Sequence, residues 1–141
     1  MAVRVGEALW RGNLETGNGR MRVKSGRFES PYSAATRFQE QDGTNPEELI
    51  GAAHAGCFSM ALSMLIAKEG FEPNNIDTKS RVHLEKKNNE FSITRIDLIT
   101  KATVQGITNE LFQELAAKAK QECPVSRALN VPISLEAALE D

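Results

Sequence analysis

The sequence is short of several things, and each shortage excludes something. Its 141 residues hold two cysteines, Cys57 and Cys123. A secreted disulfide scaffold normally carries more. Charge of one sign is missing: 17 Lys and Arg stand against 19 Asp and Glu, a net charge of −2. The basic residues are scattered, with Arg81, Arg95 and Lys101 single and Lys86-Lys87 only a pair. A nucleic-acid or membrane-surface partner is therefore not expected. No apolar run approaches the ~20 residues needed to span a bilayer. The longest, between Leu49 and Ala67, is interrupted by His54, Ser59 and Ser63. The stretch from Met1 to Trp10 carries Arg4 and Glu7 and has no apolar secretory core. These features predict a cytoplasmic protein. No repeat, low-complexity tract or linker interrupts the chain, so a single domain over 1–141 is expected.

The first third has the pattern of strands. Val3, Val5 and Leu9 alternate with polar residues up to Trp10-Arg11. Turn chemistry follows at Gly12-Asn13 and Thr16-Gly17-Asn18-Gly19, then a return strand at Met21-Arg22-Val23 and a turn at Ser25-Gly26. Pro31 to Phe38 is expected to be extended or irregular. A helix start follows: Asn45 as cap, Pro46 at the first helical position, then Glu47 and Glu48 at the positive helix end. The helix should run to Lys68-Glu69 and stop at Gly70. It is apolar nearly all round, which predicts burial by the rest of the chain or by a second copy.

Beyond Pro73 the pattern returns to strands. Val82 and Leu84 alternate with Arg81, His83 and Glu85, and Asn88-Asn89 supplies a turn. Phe91 and Ile93 are in one phase, whereas Ile96, Leu98, Thr100, Ala102 and Val104 are in the other. A β-bulge near Arg95 would produce that slip. Thr108 caps a second helix with Leu111, Phe112, Leu115, Ala116 and Ala119 on one face, and Cys123-Pro124 ends it. A helical turn over Val125 to Leu129 and a strand with Ile133 and Leu135 complete an α+β order.

Chemistry rests on the cysteines. Free cysteine is a common core filler, so two distant thiols are either filler or a redox pair. A catalytic thiol must ionise, and an ordinary one, of pKa about 8.5, is mostly protonated at neutral pH. Cys57 lies about 18 Å from the start of its helix at Asn45, beyond the reach of the helix dipole. A side-chain cation is needed, and Arg20, Arg37, Arg127 and His54 are the candidates. His54 and Cys57 share a helix face. That pair suggests a metal site, a general base, or simply a hydrogen-bonded core histidine. Zinc needs three or four ligands, and only Cys123 and His83 could add to the pair.

The segment Thr44-Asn45-Pro46-Glu47-Glu48-Leu49-Ile50-Gly51-Ala52-Ala53-His54-Ala55-Gly56-Cys57-Phe58-Ser59-Met60-Ala61-Leu62-Ser63 strongly resembles the core helix of the OsmC/Ohr family, the osmotically inducible and organic hydroperoxide resistance proteins. Cys123-Pro124-Val125-Ser126 resembles that family's second motif. The likeness runs from about Ala8 to Ala138. Gly51-Ala52-Ala53-His54 and Thr36-Arg37-Phe38 look like the OsmC branch. The resemblance implies an α+β fold with antiparallel sheets wrapped around a long buried helix, in an intertwined homodimer. It also implies a thiol peroxidase. Cys57 would attack the distal peroxide oxygen, release the alcohol and become a sulfenic acid. Cys123 would condense with it to a disulfide. A dithiol, in the family typically a lipoyl group, would reduce that disulfide. No metal, haem or flavin is implied.

The same resemblance places an arginine and a glutamate beside the peroxidatic thiolate. Glu47 matches the glutamate; Arg37 matches the arginine, with Arg20 as rival. A carboxylate can hold the planar guanidinium bidentately. Glu47 and Cys57 lie about 15 Å apart along one helix. Two such helices pairing antiparallel across a two-fold axis would bring Glu47 of one chain near Cys57 of the other. Phe58, Met60 and Leu62, with Phe28, Tyr32 or Phe38, are candidates for an apolar pocket favouring organic hydroperoxides. Two other functions stand beside the peroxidase: a non-catalytic stress-associated binding module on the same fold, and a hydrolase or acyl transferase using His54 as base to Cys57.

Overall fold

The computed structural model describes residues 1–140. The chain divides into two compact units, Met1–Leu49 and Ile50–Asp141. The first holds β1 (Gly6–Arg11), β2 (Asn18–Val23), β3 (Glu29–Tyr32) and α1 (Ala34–Phe38). Its strands form an antiparallel sheet in the order β1-β2-β3. The Trp10 and Tyr32 rings meet at 5.2 Å.

Part of Pro31–Phe38 departs from expectation. Its first residues close β3, but Ala34–Phe38 is helical. The cause is a reciprocal cap. Ser33 Oγ accepts from the Thr36 N–H, and Thr36 Oγ1 accepts from the Ser33 N–H at 2.8 Å.

Helix α2 (Pro46–Lys68) starts and ends where the sequence predicts. Asn45 Oδ1 accepts from the Glu48 N–H at 2.7 Å, and Gly70 takes φ 90°. The statement that no segment is long enough to span a bilayer needs correction. An 18-residue window of α2 has a mean hydropathy of 1.7 even with His54, Ser59 and Ser63 in the helix. Within the single chain 33% of that apolar window is buried. His54, Phe58, Leu62, Leu65 and Ile66 are buried, while Ala52, Ala53, Gly56, Met60 and Met64 are exposed.

In the second unit β4 (Pro73–Lys87) and β5 (Glu90–Val104) form the long hairpin. Asn88 and Asn89 turn it with φ 53° and 65°, the left-handed pair that suits a tight hairpin. His83 pairs with Arg95 and Leu84 with Ile93, which leaves Thr94 unpaired. That bulge shifts the inward phase, so Ile96, Leu98, Thr100, Ala102 and Val104 all face the core. The chain continues through α3 (Asn109–Glu122), α4 (Pro124–Ala128) and β6 (Ile133–Glu140). Strand β6 pairs with β5 in parallel, so this sheet is mixed rather than antiparallel. The crossover through α3 and α4 makes that direction possible.

The core joins the buried side of α2 to β5 and α3, with Phe58, Leu62, Ile66, Leu98, Phe112 and Ala119 at its centre. Gly51 allows α2 to approach β4: a Cβ there would lie 3.1 Å from the Ser80 carbonyl oxygen. A run of hydroxyls, Ser59 to Thr78 at 2.7 Å and Thr78 to Thr100 at 2.9 Å, links the helix to the sheet.

Candidate active site

Helix α2 brings Cys57 to the junction of α3 and α4, where Cys123 closes one helix and opens the next. Proline at the following position removes a donor and fixes the backbone there. Both thiols are free, and each acts on the ionisation of the other. Cys123 is fully buried; Cys57 is half-buried.

The two sulfurs differ electrically. Burial pushes Cys57 up, and the neighbouring Cys123 pushes it further, against a smaller lowering by the Val125 N–H. Burial would also raise Cys123, but the neighbouring Cys57, Ser126 and Val125 donor groups outweigh it and hold this thiol below its ordinary value.

His54 does not serve as base to Cys57 here. It is buried, and its Nε2 lies 2.7 Å from Ser126 Oγ. Burial holds its pKa down. The hydrogen-bonded core histidine is the arrangement found. Ser126, which only its place in the Cys-Pro-Val-Ser motif hinted at, is thus the partner of His54.

Arg37 and Glu47 meet in the first unit. The Arg37 Nε donates to Glu47 Oε1 at 3.0 Å and to Oε2 at 3.2 Å, and the terminal nitrogen reaches Oε1 at 2.5 Å. Glu47 is buried, and Asn45 Nδ2 ties the start of α2 to the Thr36 carbonyl of α1 at 3.0 Å. Arg20 instead forms an exposed pair with Glu29 at 3.2 Å. Arg127 is exposed on α4. Two proposed pocket residues, Phe58 and Leu62, are wholly buried in the core, whereas Met60 is 77% exposed. Phe28, Tyr32 and Phe38 all belong to the first unit.

A helical cysteine meeting a second cysteine at a helix junction, on an α+β frame of two sheets and four helices, defines a class of dithiol proteins. Comparison with known proteins narrows that class. The sequence pattern of the OsmC-like protein family matches residues 39–137, and the chain belongs to that family. It is 46% identical over 136 residues to peroxiredoxin OsmC of Escherichia coli, covering 96% of this chain and 95% of that one. It is 33% identical over 100 residues to the organic hydroperoxide resistance protein of Xanthomonas axonopodis pv. citri, covering 69% and 68%. Among solved structures, the organic hydroperoxide resistance protein OhrB of Bacillus subtilis superposes with a TM-score of 0.69 at 25% identity, covering 96% of this chain and 98% of that one. An OsmC-like protein of unknown function from Vibrio cholerae superposes at 0.80 with 15% identity over 97% and 99%, a likeness of fold.

Proposed function

We propose that this protein is a cysteine-based peroxidase that reduces organic hydroperoxides to alcohols. The observation that carries this reading is the pair of free thiols, Cys57 and Cys123, near enough to act on each other's ionisation. It is supported by relatives named peroxiredoxin and organic hydroperoxide resistance protein. The Cys57 thiolate attacks the distal oxygen of the hydroperoxide, the O–O bond breaks, and the alkoxide leaves with a proton as alcohol. Cys57 becomes a sulfenic acid. Cys123 attacks that sulfur, the S–S bond forms, and hydroxide leaves and is protonated to water. A dithiol, by family resemblance a dihydrolipoyl group, then restores both thiols by exchange.

Cys57 is not activated by its own unit, which pushes it up. The missing cation is Arg37, held by Glu47. We assign that pair to the pocket formed when two copies associate through α2. The exposed apolar row Ala52, Ala53, Gly56, Met60 and Met64 supports such a homodimer, because water is a poor neighbour for it. The family match spans residues from both units, which supports one working domain. Action in the cytoplasm follows from the need to keep both thiols reduced between turnovers.

The test is consumption of cumene or tert-butyl hydroperoxide with dihydrolipoamide, for the native protein and for Cys57→Ser, with hydrogen peroxide in parallel. Fast loss of organic peroxide that disappears in Cys57→Ser supports the enzyme. A slower hydrogen peroxide rate supports an apolar pocket. No consumption, with both thiols left reduced, would favour the non-catalytic binding module.

A further inference from the structure

The mechanism above gives no role to His54, a wholly buried titratable side chain on α2. Its Nε2 lies 2.7 Å from Ser126 Oγ, a contact that joins α2 to α4. Its Nδ1 is buried with no hydrogen-bond partner among the described residues. An orphaned lone pair is better tolerated in a protein interior than an orphaned N–H. The ring proton therefore belongs on Nε2, which donates to the Ser126 hydroxyl oxygen.

A second ring proton has no place in this packing. On Nδ1 it would be a buried N–H without an acceptor, on a ring turned into a cation among apolar side chains. Among the described residues Glu47 is the one buried carboxylate. It lies two turns back, about 10 Å along α2, and is already bound to Arg37. The sheet turns Ser80, Val82, Ile96 and Leu98 inward, and none carries a charge. On α4 the charged group is Arg127, which is exposed, and the Lys120 amine of α3 is directed to the Ile133 carbonyl at 3.0 Å. The other titratable neighbours are the thiols, Cys57 on α2 and Cys123 at the start of α4. Arg37, which the proposed dimer brings to Cys57, is a like charge. An imidazolium must therefore part from its surroundings. The lighter partner is α4, five residues long against the 23 of α2.

We propose that the His54–Ser126 bond is an acid-opened catch on α4: the neutral imidazole holds this helix to α2, and uptake of a second ring proton releases it. Because Cys123 is the residue that starts α4, release also loosens the hold on the second thiol. That consequence rests on the peroxidase reading above; the catch itself does not. In the open form the ring takes its proton at the ordinary histidine value of about 6.5, whereas burial holds the closed form below it. Opening is therefore favoured as pH falls below about 6.5, by at most about tenfold per pH unit for a single proton.

Two measurements test this. The first is amide hydrogen exchange, read as protection factors against pH, at Arg127 and Leu129. Their N–H groups bond to the Cys123 and Val125 carbonyls at 3.1 Å each and so report whether α4 is closed. Protection there should fall as pH drops below about 6.5, while the core amides of β5 and α3 keep theirs. His54→Gln keeps an N–H for Ser126 but does not titrate, and its α4 protection should hold steady over the same range. Ser126→Ala keeps the histidine but removes its partner, and should lower α4 protection about fivefold already at neutral pH. An acid-induced fall that persists in His54→Gln overturns the proposal, and so does a Ser126→Ala chain as well protected as the native one. Equal loss of protection in α3, α4 and β5 also overturns it, because acid then unfolds the whole unit. The second measurement is the rate of disulfide closure after one equivalent of tert-butyl hydroperoxide. Thiol ionisation enters the native and the His54→Gln rates alike, so their ratio isolates the catch and should fall as pH drops below about 6.5. A constant ratio overturns the consequence for Cys123. If the native protein reduces no peroxide, the peroxidase reading fails, and the exchange data still decide the catch.

Discussion

Cys57 and Cys123 act on each other's ionisation, yet their surroundings push them in opposite directions, Cys57 up and Cys123 down. Their variants should therefore fail differently. Cys57→Ser should abolish peroxide reduction outright. Cys123→Ser should lose turnover with a disulfide-linked reductant cycle but still accumulate a sulfenic acid at Cys57, trapped with dimedone and read by mass spectrometry. A packing role for Cys123 would instead lower the melting temperature and leave the chemistry alone. His54 sets a pH dependence of stability. Burial depresses its folded pKa below the unfolded value of about 6.5. The unfolded chain then binds the proton more readily, so stability is lost as pH falls below about 6.5. Thermal melts across that range should show the slope, and His54→Gln should flatten it.

At the scale of elements, α2 is set from its first turn. Asn45 both caps the helix through Oδ1 and ties α1 to it through Nδ2. Asn45→Ala should cost about 1–2 kcal/mol in urea unfolding. It should also weaken activity, because Glu47 sits in the same turn and Arg37 in the helix that Asn45 holds. The other end of the element problem is close approach. Gly51 lies against the Ser80 carbonyl, and Gly51→Val should destabilise by about 1–3 kcal/mol through overpacking, with the same unfolding measurement as the check. The turn, bulge and caps that shape β4, β5 and α3 were legible from Asn88-Asn89, from the phase slip before Ile96, and from Thr108. Each depends on a few neighbouring residues. The short helix α1 was not legible, because Ser33 and Thr36 cap each other through side chains that favour turns and loops equally well.

For the whole molecule, the exposed side of α2 is the feature with the largest consequence. Met60 is 77% exposed and Met64 50%. A lone chain would leave this apolar row in water. Met60→Glu should leave the second unit folded, since the side chain lies outside its core. It should shift sedimentation equilibrium from dimer to monomer and reduce peroxidase activity with it. A monomeric native protein with full activity would remove the reason for placing Arg37 of one copy at Cys57 of another.

By itself the sequence determined the elements whose causes are local: the Asn45-Pro46 start and Gly70 stop of α2, the hairpin with its bulge, and the apolar face of α3. It also marked both cysteines, Arg37 and Glu47, through motif resemblance rather than through any spacing that chemistry requires. Tertiary structure alone decided which atoms meet. It chose Glu47 for Arg37 and Glu29 for Arg20, ran β6 parallel to β5, and joined His54 to Ser126 across 72 residues of chain. Such contacts carry no periodic signature, because loop closure costs little more at long separation than at moderate separation. Packing, not sequence distance, selects the partner: α2 buries His54 on the side that faces α4, and the hydroxyl that meets it there is Ser126.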